Sequence, residues 1–170
     1  DFDIGLAAIE GLEQGWLSRN TLVTTVMSNM GLDIAMRRHG IDIIKTPVGD
    51  RYVVEAMKRE GYNLGGEQSG HLIFLDYNST GDGLISALQL LSILKRRSKP
   101  LSEIVSVVKK LPQVIQNVKI REKKPLDSMI SVSQAIADIE DKLSDEGRVL
   151  IRYSGTENLL RVMLEGEDEK

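Results

Sequence analysis

The first hundred residues alternate between short β-branched stretches and amphipathic stretches, and this alternation constrains the fold most strongly. The predicted strands and helices follow one another in the order 21–26, 31–39, 41–45, 50–61, 71–75 and 84–95. Strands that alternate with helices are typical of an α/β layered domain, here with a mixed sheet and helices packed on it. The helix over 84–95 is apolar nearly all round, which predicts that it is buried.

The order changes after the basic, polar stretch 95–100, which is the best candidate for a linker. A strand over 114–120, a helix over 127–143 and two strands over 148–152 and 159–164 then predict a small α+β domain, in which one face of the sheet is covered by the helix. The predicted division is an α/β domain over 1–97, a linker with a short helix over 98–111 and the α+β domain over 112–170. The chain opens without Met at the edge of a helix, so we expect a piece of a longer protein whose first domain here is truncated.

Composition excludes several functional classes. The net charge of −3 argues against general nucleic-acid binding, and the most basic stretch, 119–124, is interpreted as a solvated strand end. The absence of cysteine excludes disulfides, thiolate metal sites and a cysteine nucleophile, and it fits a cytoplasmic protein. The longest apolar stretch, 84–94, is too short to span a bilayer, so no membrane partner is expected. The two histidines lie far apart without clustered carboxylates and do not indicate a metal site.

A short loop between the last two predicted strands has the composition of an anion site. It carries hydroxyl groups at Ser154 and Thr156 around Gly155, with a guanidinium on each side at Arg152 and Arg161. Hydroxyl and backbone N–H groups can donate to phosphate oxygens, and arginine can bind them as a bidentate fork. The pattern therefore indicates a phosphorylated ligand, while an ordinary hairpin turn with exposed arginines remains the alternative.

The glycine-rich stretch 65–70 is a second candidate loop. It places Glu67 and Ser69 between flexible backbone positions, and a carboxylate beside a hydroxyl suits the hydroxyl groups of a sugar. The spacing matches neither a dinucleotide-binding nor a Walker loop, and a plain turn between two strands remains the alternative. His71, directly after this stretch, is interpreted as a partly buried structural histidine. The loop 46–51 follows a predicted strand, where α/β folds tend to bind ligands, although Asp50 is typical of a helix cap.

Together these stretches resemble the α-D-phosphohexomutase superfamily over essentially the whole chain. The resemblance rests on Gly65-Gly66-Glu67-Gln68-Ser69-Gly70-His71 and Arg152-Tyr153-Ser154-Gly155-Thr156-Glu157, in the family's order. Supporting stretches are Thr25-Val26-Met27-Ser28-Asn29, Val48-Gly49-Asp50-Arg51-Tyr52 and Thr80-Gly81-Asp82-Gly83. One departure is clear: the family loop usually has proline where Tyr153 and Asn158 stand here, and losing proline makes a free loop less preorganised.

The resemblance implies a cytoplasmic isomerase of four domains, which is an intramolecular phosphotransferase, and a homodimer is the expected state of the intact enzyme. In the branch that the chain resembles most, the enzyme interconverts glucosamine 6-phosphate and glucosamine 1-phosphate for cell-wall (peptidoglycan) precursors. The reaction passes through an enzyme phosphoserine and a bisphosphorylated intermediate, with Mg²⁺ held by an aspartate-rich loop. The alternatives are a branch acting on mannose or glucose phosphates, or a non-catalytic module that binds phosphosugars.

The resemblance also implies roles for particular residues. The sugar is expected to contact Glu67, Ser69, Gly49 and Asp50, and the phosphate to contact Arg152, Ser154, Gly155, Thr156 and Arg161. The phosphoserine segment and the Mg²⁺ loop of the family are not found in this sequence. The chain is therefore expected to correspond to the third and fourth domains, with no catalytic residue, no metal ligand and no turnover by itself.

Overall fold

The structure is a computed structural model, and it describes residues 1–144 and 147–167. The chain forms two compact units, Asp1–Lys110 and Leu111–Lys170. The first unit is an α/β domain with a mixed sheet, and the second has a three-stranded antiparallel sheet with a helix. These features confirm the predicted fold class. In the part of the chain that is described, no helix is both long and apolar enough to cross a membrane.

The first unit has four strands in the order β2-β1-β3-β4. The strands are β1 (Thr21–Thr25), β2 (Asp42–Thr46), β3 (Leu64–Gly66) and β4 (Leu72–Phe74). The helices are α1 (Phe2–Glu13), α2 (Met30–Arg38), α3 (Asp50–Glu60), α4 (Gly83–Arg97) and α5 (Leu101–Ile104). The central strand β1 pairs in parallel with β2 and β3, and β4 runs antiparallel to β3. Parallel pairing brings the carboxyl ends of β1, β2 and β3 to one edge of the sheet.

The glycines at the start of the predicted loop 65–70 belong to strand β3, which the sequence did not indicate. A Cβ atom on Gly65 would lie 2.5 Å from Met57 Sδ and 2.9 Å from the Val23 carbonyl oxygen. One on Gly66 would lie 2.3 Å from the His71 carbonyl oxygen. These glycines therefore allow close packing of α3 and the neighbouring strands, and only the end of the stretch is a loop.

The core of the first unit lies around α1, which is buried over most of its length. Residues 98–111, which the sequence predicts as a linker with a short helix, contribute Ile104 and Val108 to this core. The prediction that α4 is buried is wrong. Its leucines Leu84, Leu88 and Leu91 are 72%, 58% and 60% exposed. Apolar composition all round a helix does not tell which of its faces another element covers.

The second unit contains β5 (Gln113–Lys119), α6 (Ile130–Leu143), β6 (Gly147–Tyr153) and β7 (Leu159–Gly166). The strand order is β5-β7-β6, and both pairings are antiparallel. Helix α6 packs against β6. The strands β6 and β7 flank the loop 154–158, which carries Ser154, Gly155 and Thr156, while Arg152 and Arg161 lie on the two strands themselves.

Candidate functional site

The carboxylate of Glu67 connects two of the predicted loops. Glu67 directly follows β3 and is only 9% exposed. Its Oε1 atom accepts a hydrogen bond of 2.9 Å from the backbone N–H of Gly49, eighteen positions away in sequence. The loops 47–49 and 67–71 are therefore joined at the carboxyl edge of the sheet, which is the edge where ligands of α/β folds usually bind.

Gly49 provides this N–H group through a conformation that favours glycine. Its φ of 130° lies in the region that side chains with a Cβ rarely adopt. Gly49, and not Asp50, is the N-cap of α3, so the prediction that Asp50 caps this helix is wrong. Asp50 is the first helical residue, and its carboxylate accepts a hydrogen bond of 2.8 Å from the N–H of Arg51.

Ser69 and His71 lie on the outer side of the same loop. The Ser69 hydroxyl is 3.2 Å from His71 Nδ1, and that ring nitrogen is 3.4 Å from Glu67 Oε2. The His71 side chain is 59% exposed, so its interpretation as a partly buried structural residue is wrong. The loop folds back on itself because the N–H of Glu67 donates to the His71 carbonyl and the N–H of Gly70 donates to the Glu67 carbonyl. The structure thus groups Glu67, Ser69 and His71.

The polar residues around this edge are buried and hydrogen-bonded to one another. The hydroxyls of Thr24 and Ser28 are paired, and Thr46 donates to the carbonyl of Thr24 at 3.3 Å. Asn29 caps α2 by accepting a hydrogen bond from the N–H of Gly31. These hydrogen bonds satisfy the buried polar groups beneath the loops at this edge.

In the second unit, the loop 154–158 is closed by its own hydrogen bonds. Ser154 is 2% exposed, and its N–H donates to the Leu159 carbonyl at 2.9 Å. Its hydroxyl accepts a hydrogen bond of 3.2 Å from the N–H of Glu157. Gly155 and Thr156 are exposed at the tip of the loop. A hydroxyl buried inside the loop therefore holds the backbone while the tip faces solvent.

Arg152 and Arg161 stand directly opposite each other on β6 and β7. Like charges at such a cross-strand position are destabilising. Burial, and secondarily the charge of Arg161, lower the pKa of Arg152 below the ordinary arginine value. Among the described residues, the buried Nε atom of Arg161 has no hydrogen-bond partner, and Glu157 lies 3.5 Å from its Nη2 atom. The two guanidinium groups therefore form a concentration of positive charge beside the loop.

The segment 120–125 holds this loop at three points. The Ile120 N–H donates to the Asn158 carbonyl at 3.0 Å, and the Lys123 ammonium donates to the Ser154 carbonyl at 2.6 Å. The Tyr153 hydroxyl donates to the Lys124 carbonyl at 2.5 Å. The interpretation of 119–124 as a solvated strand end missed these contacts, because they join positions that lie far apart in sequence, such as Lys123 and Ser154.

The Mg²⁺ that the resemblance implies has no matching ligand set here. Within residues 1–144 and 147–167, no group of three or more histidine, aspartate or glutamate side chains could hold a metal ion. Two acidic residues that follow the loop 67–71 in sequence have other partners: Asp76 accepts a hydrogen bond from Asn63, and Asp82 caps α4. The described residues therefore do not fit this ion.

Each of the two units matches a domain of one known protein family. Residues 3–111 match the family model of the phosphoglucomutase/phosphomannomutase alpha/beta/alpha domain III, and residues 115–170 match that of the C-terminal domain of the same family. The chain therefore belongs to the phosphoglucomutase/phosphomannomutase family.

The chain is also similar to curated proteins named phosphoglucosamine mutase. The chain is 58% identical to that of Syntrophotalea carbinolica over 166 residues, which are 98% of this chain and 36% of the relative. It is 61% identical to that of Pelobacter propionicus over 168 residues, which are 99% of this chain and 37% of the relative. The chain thus spans little more than a third of the length of these relatives.

Solved structures share the fold. A crystal structure of Aspergillus fumigatus N-acetylphosphoglucosamine mutase, in complex with GlcNAc-6P and magnesium, matches with a TM-score of 0.81 at 19% identity. It covers 99% of this chain and 43% of that chain. A phosphoglucomutase/phosphomannomutase family protein from Burkholderia thailandensis matches with a TM-score of 0.70 at 21% identity, over 98% of this chain and 38% of that chain.

Proposed function

We propose that this chain supplies the sugar-binding and phosphate-binding loops of a phosphoglucosamine mutase. In this proposal the whole enzyme is a cytoplasmic isomerase and a homodimer, and it interconverts glucosamine 6-phosphate and glucosamine 1-phosphate for peptidoglycan precursors. The names of relatives that are 58% and 61% identical support this assignment. The phosphoserine and the Mg²⁺ ligands would come from outside this chain, so the residues described here bind and orient the substrate.

The observation that carries the proposal is the arginine pair beside the Ser154 loop. Arg152 and Arg161 face each other across two strands, and the pKa of Arg152 is lowered by burial and then by Arg161. A bound phosphate would offset this penalty, because charge-assisted hydrogen bonds from arginine to phosphate oxygens are among the stronger ones in proteins. An arrangement that is unfavourable without an anion is therefore explained by the binding of one.

The tip of the loop leaves room for the phosphate oxygens. A Cβ atom on Gly155 would meet no other atom within 4 Å, so the space beside its backbone is open. Phosphate oxygens can approach the backbone N–H groups of Gly155 and Thr156 there, as they do in other backbone anion sites. The Thr156 hydroxyl is exposed and adds a further donor. Ser154 is proposed to act mainly by holding the loop.

Glu67 is proposed to accept hydrogen bonds from sugar hydroxyls. Its Oε1 atom is held by the Gly49 N–H, which leaves further lone pairs on the carboxylate for a ligand. Ser69 and His71 lie beside it and can exchange hydrogen bonds with neighbouring hydroxyls. The 47–50 loop, with Gly49 and Asp50, borders the same carboxylate.

Isothermal titration calorimetry tests this assignment with the chain itself. We expect glucosamine 6-phosphate to bind more tightly than inorganic phosphate, and more tightly than glucose 6-phosphate or mannose 6-phosphate. Tighter binding of either of the other hexose phosphates would favour another branch of the family. Absence of phosphate-dependent binding with every probe would contradict the proposal.

A further inference from the structure

Lys123 lies on the segment 120–125, which leaves β5 and reaches back to the candidate phosphate loop. Its ammonium group donates to the carbonyl oxygen of Ser154 at 2.6 Å. Ser154 is buried, so this carbonyl is held inside the loop by a cation rather than by bulk water. A hydrogen bond from a charged donor is roughly twice as strong as a neutral one.

This contact also fixes an N–H group that faces the proposed phosphate. The Ser154 carbonyl and the Gly155 N–H belong to the same peptide unit, which is planar and trans. Fixing the direction of the carbonyl therefore fixes the direction of the Gly155 N–H, which points the opposite way. A cation on the carbonyl oxygen also polarises the amide and strengthens its N–H as a donor.

Tyr153 makes a second attachment to the same segment. Its hydroxyl donates to the Lys124 carbonyl at 2.5 Å. Tyr153 stands where the family usually has proline, whose ring would fix φ and limit the freedom of the unbound loop. The hydrogen bond from the Tyr153 hydroxyl restricts the conformation of the residue that begins the loop, without fixing φ as proline does.

We propose that Lys123 and Tyr153 are positioning residues of the phosphate loop. Lys123 orients and polarises the Gly155 N–H, and Tyr153 replaces the stiffening effect of the family's proline. This inference rests on the proposed function in one respect only, namely that the Gly155 N–H contacts phosphate. The attachment of the loop to the segment 120–125 can be tested without any ligand.

The test compares Lys123→Met with Lys119→Met. Both changes remove one positive charge and keep a long apolar stem, and Lys119 lies exposed on β5 just before the segment. Tyr153→Phe removes only the hydroxyl group, and Lys123→Arg keeps a cationic donor. Hydrogen exchange of the Ser154 and Glu157 amides measures the order of the loop, and NMR titration with inorganic phosphate measures its affinity.

We expect Lys123→Met to raise the exchange rates of both amides about 3- to 10-fold and to weaken phosphate binding by a similar factor. This is the effect of losing one hydrogen bond. Tyr153→Phe should have a smaller effect in the same direction. Lys123→Arg should restore most of both properties, and Lys119→Met should change phosphate affinity less than about 2-fold, as screened surface charges do.

Two results would overturn the inference. Equal behaviour of the Lys123→Met and Lys119→Met variants would show that the contact with Ser154 does not order the loop. Weaker phosphate binding with unchanged amide exchange would show that Lys123 acts on phosphate directly. If the unaltered chain does not bind phosphate, the proposed function fails, while the exchange measurements still decide whether Lys123 and Tyr153 hold the loop.

Discussion

The two candidate loops differ in the charge of their central groups. In the first unit, the central group is a buried carboxylate, Glu67, and the Gly49 N–H already holds one of its oxygen atoms. In the second unit, the central groups are two cations, Arg152 and Arg161, placed opposite each other. The first loop presents an acceptor that already has partners, whereas the second presents two cations of which Arg161 contacts the exposed Glu157 at 3.5 Å.

This difference indicates which loop depends on charge. Neutral hydroxyl groups can bind a carboxylate that is already positioned, with little change in the electrostatics of the unit. An anion at the arginine pair relieves repulsion that exists without it. The phosphate group should therefore supply most of the affinity, and the sugar hydroxyls should supply most of the discrimination.

The largest expected effect is a loss of stability in the second unit when the partner of Arg148 is removed. Arg148 binds the fully buried Glu165 at 2.5 Å, whereas Arg152 stands opposite another arginine, Arg161. Replacing Glu165→Ala leaves Arg148 without this partner and should cost about 3–5 kcal/mol of unfolding free energy, measured by urea denaturation. The control Glu122→Ala breaks an exposed pair with Lys124 and should cost no more than about 1 kcal/mol. Equal effects of the two changes would contradict the structural role of Arg148.

Arg152→Met should have the next largest effect, and it should act on binding rather than folding. Loss of charge-assisted hydrogen bonds is expected to weaken binding of glucosamine 6-phosphate about 10- to 100-fold in calorimetry. Unfolding free energy should not fall, because burial and then Arg161 disfavour the charged form of Arg152 in the folded state, as its lowered pKa indicates. Arg59→Met, at an exposed arginine near the end of α3, is the control and should leave affinity nearly unchanged. A loss of stability without a loss of affinity would assign Arg152 to the fold.

Glu67→Gln should reduce discrimination more than affinity for phosphate. The amide keeps one acceptor oxygen but removes the charge, so binding of glucosamine 6-phosphate should weaken about 5- to 10-fold, the size of one charge-assisted hydrogen bond. Binding of inorganic phosphate should stay within about 2-fold, and the exposed Glu60→Gln serves as the control. An equal loss for both ligands would mean that the two loops do not divide the recognition as we propose.

The smallest effect concerns pH. Arginine stays protonated in proteins, so the penalty that the lowered pKa of Arg152 reports is constant between about pH 5 and pH 8. The ligand does titrate, because a phosphate monoester loses its second proton near about pH 6. Affinity for glucosamine 6-phosphate should therefore rise about 3-fold or more from about pH 5 to pH 8, followed by calorimetry. Affinity that falls over this range would argue against an arginine site for the phosphate.

Much of the fold follows from the sequence because hydrophobic periodicity is local. The alternation of strands and helices predicted the α/β unit, and the order of elements predicted the α+β unit. Helix α4 shows the limit, since its composition predicted burial while Leu84, Leu88 and Leu91 are exposed. Gly65 and Gly66 show another limit: glycine indicated a loop, whereas tight packing of a strand required it.

The candidate site was predicted as separate stretches, but its connections were not. The sequence indicated Glu67 and Gly49 as members of different loops, and only the parallel pairing of β1 with β2 and β3 places these loops at one edge. Lys123 was missed because its contact with Ser154 spans thirty-one positions. Local patterns carry no information about such contacts, although a basic residue near an anion loop is a signal worth testing.

An NMR titration of this chain with glucosamine 6-phosphate, with inorganic phosphate as the control, tests the division between the two loops most directly. The account predicts that the sugar phosphate shifts amide signals in both 67–71 and 152–156, and that inorganic phosphate shifts only those in 152–156. Shifts confined to 67–71 with either ligand, or no shift at 152–156, would contradict it.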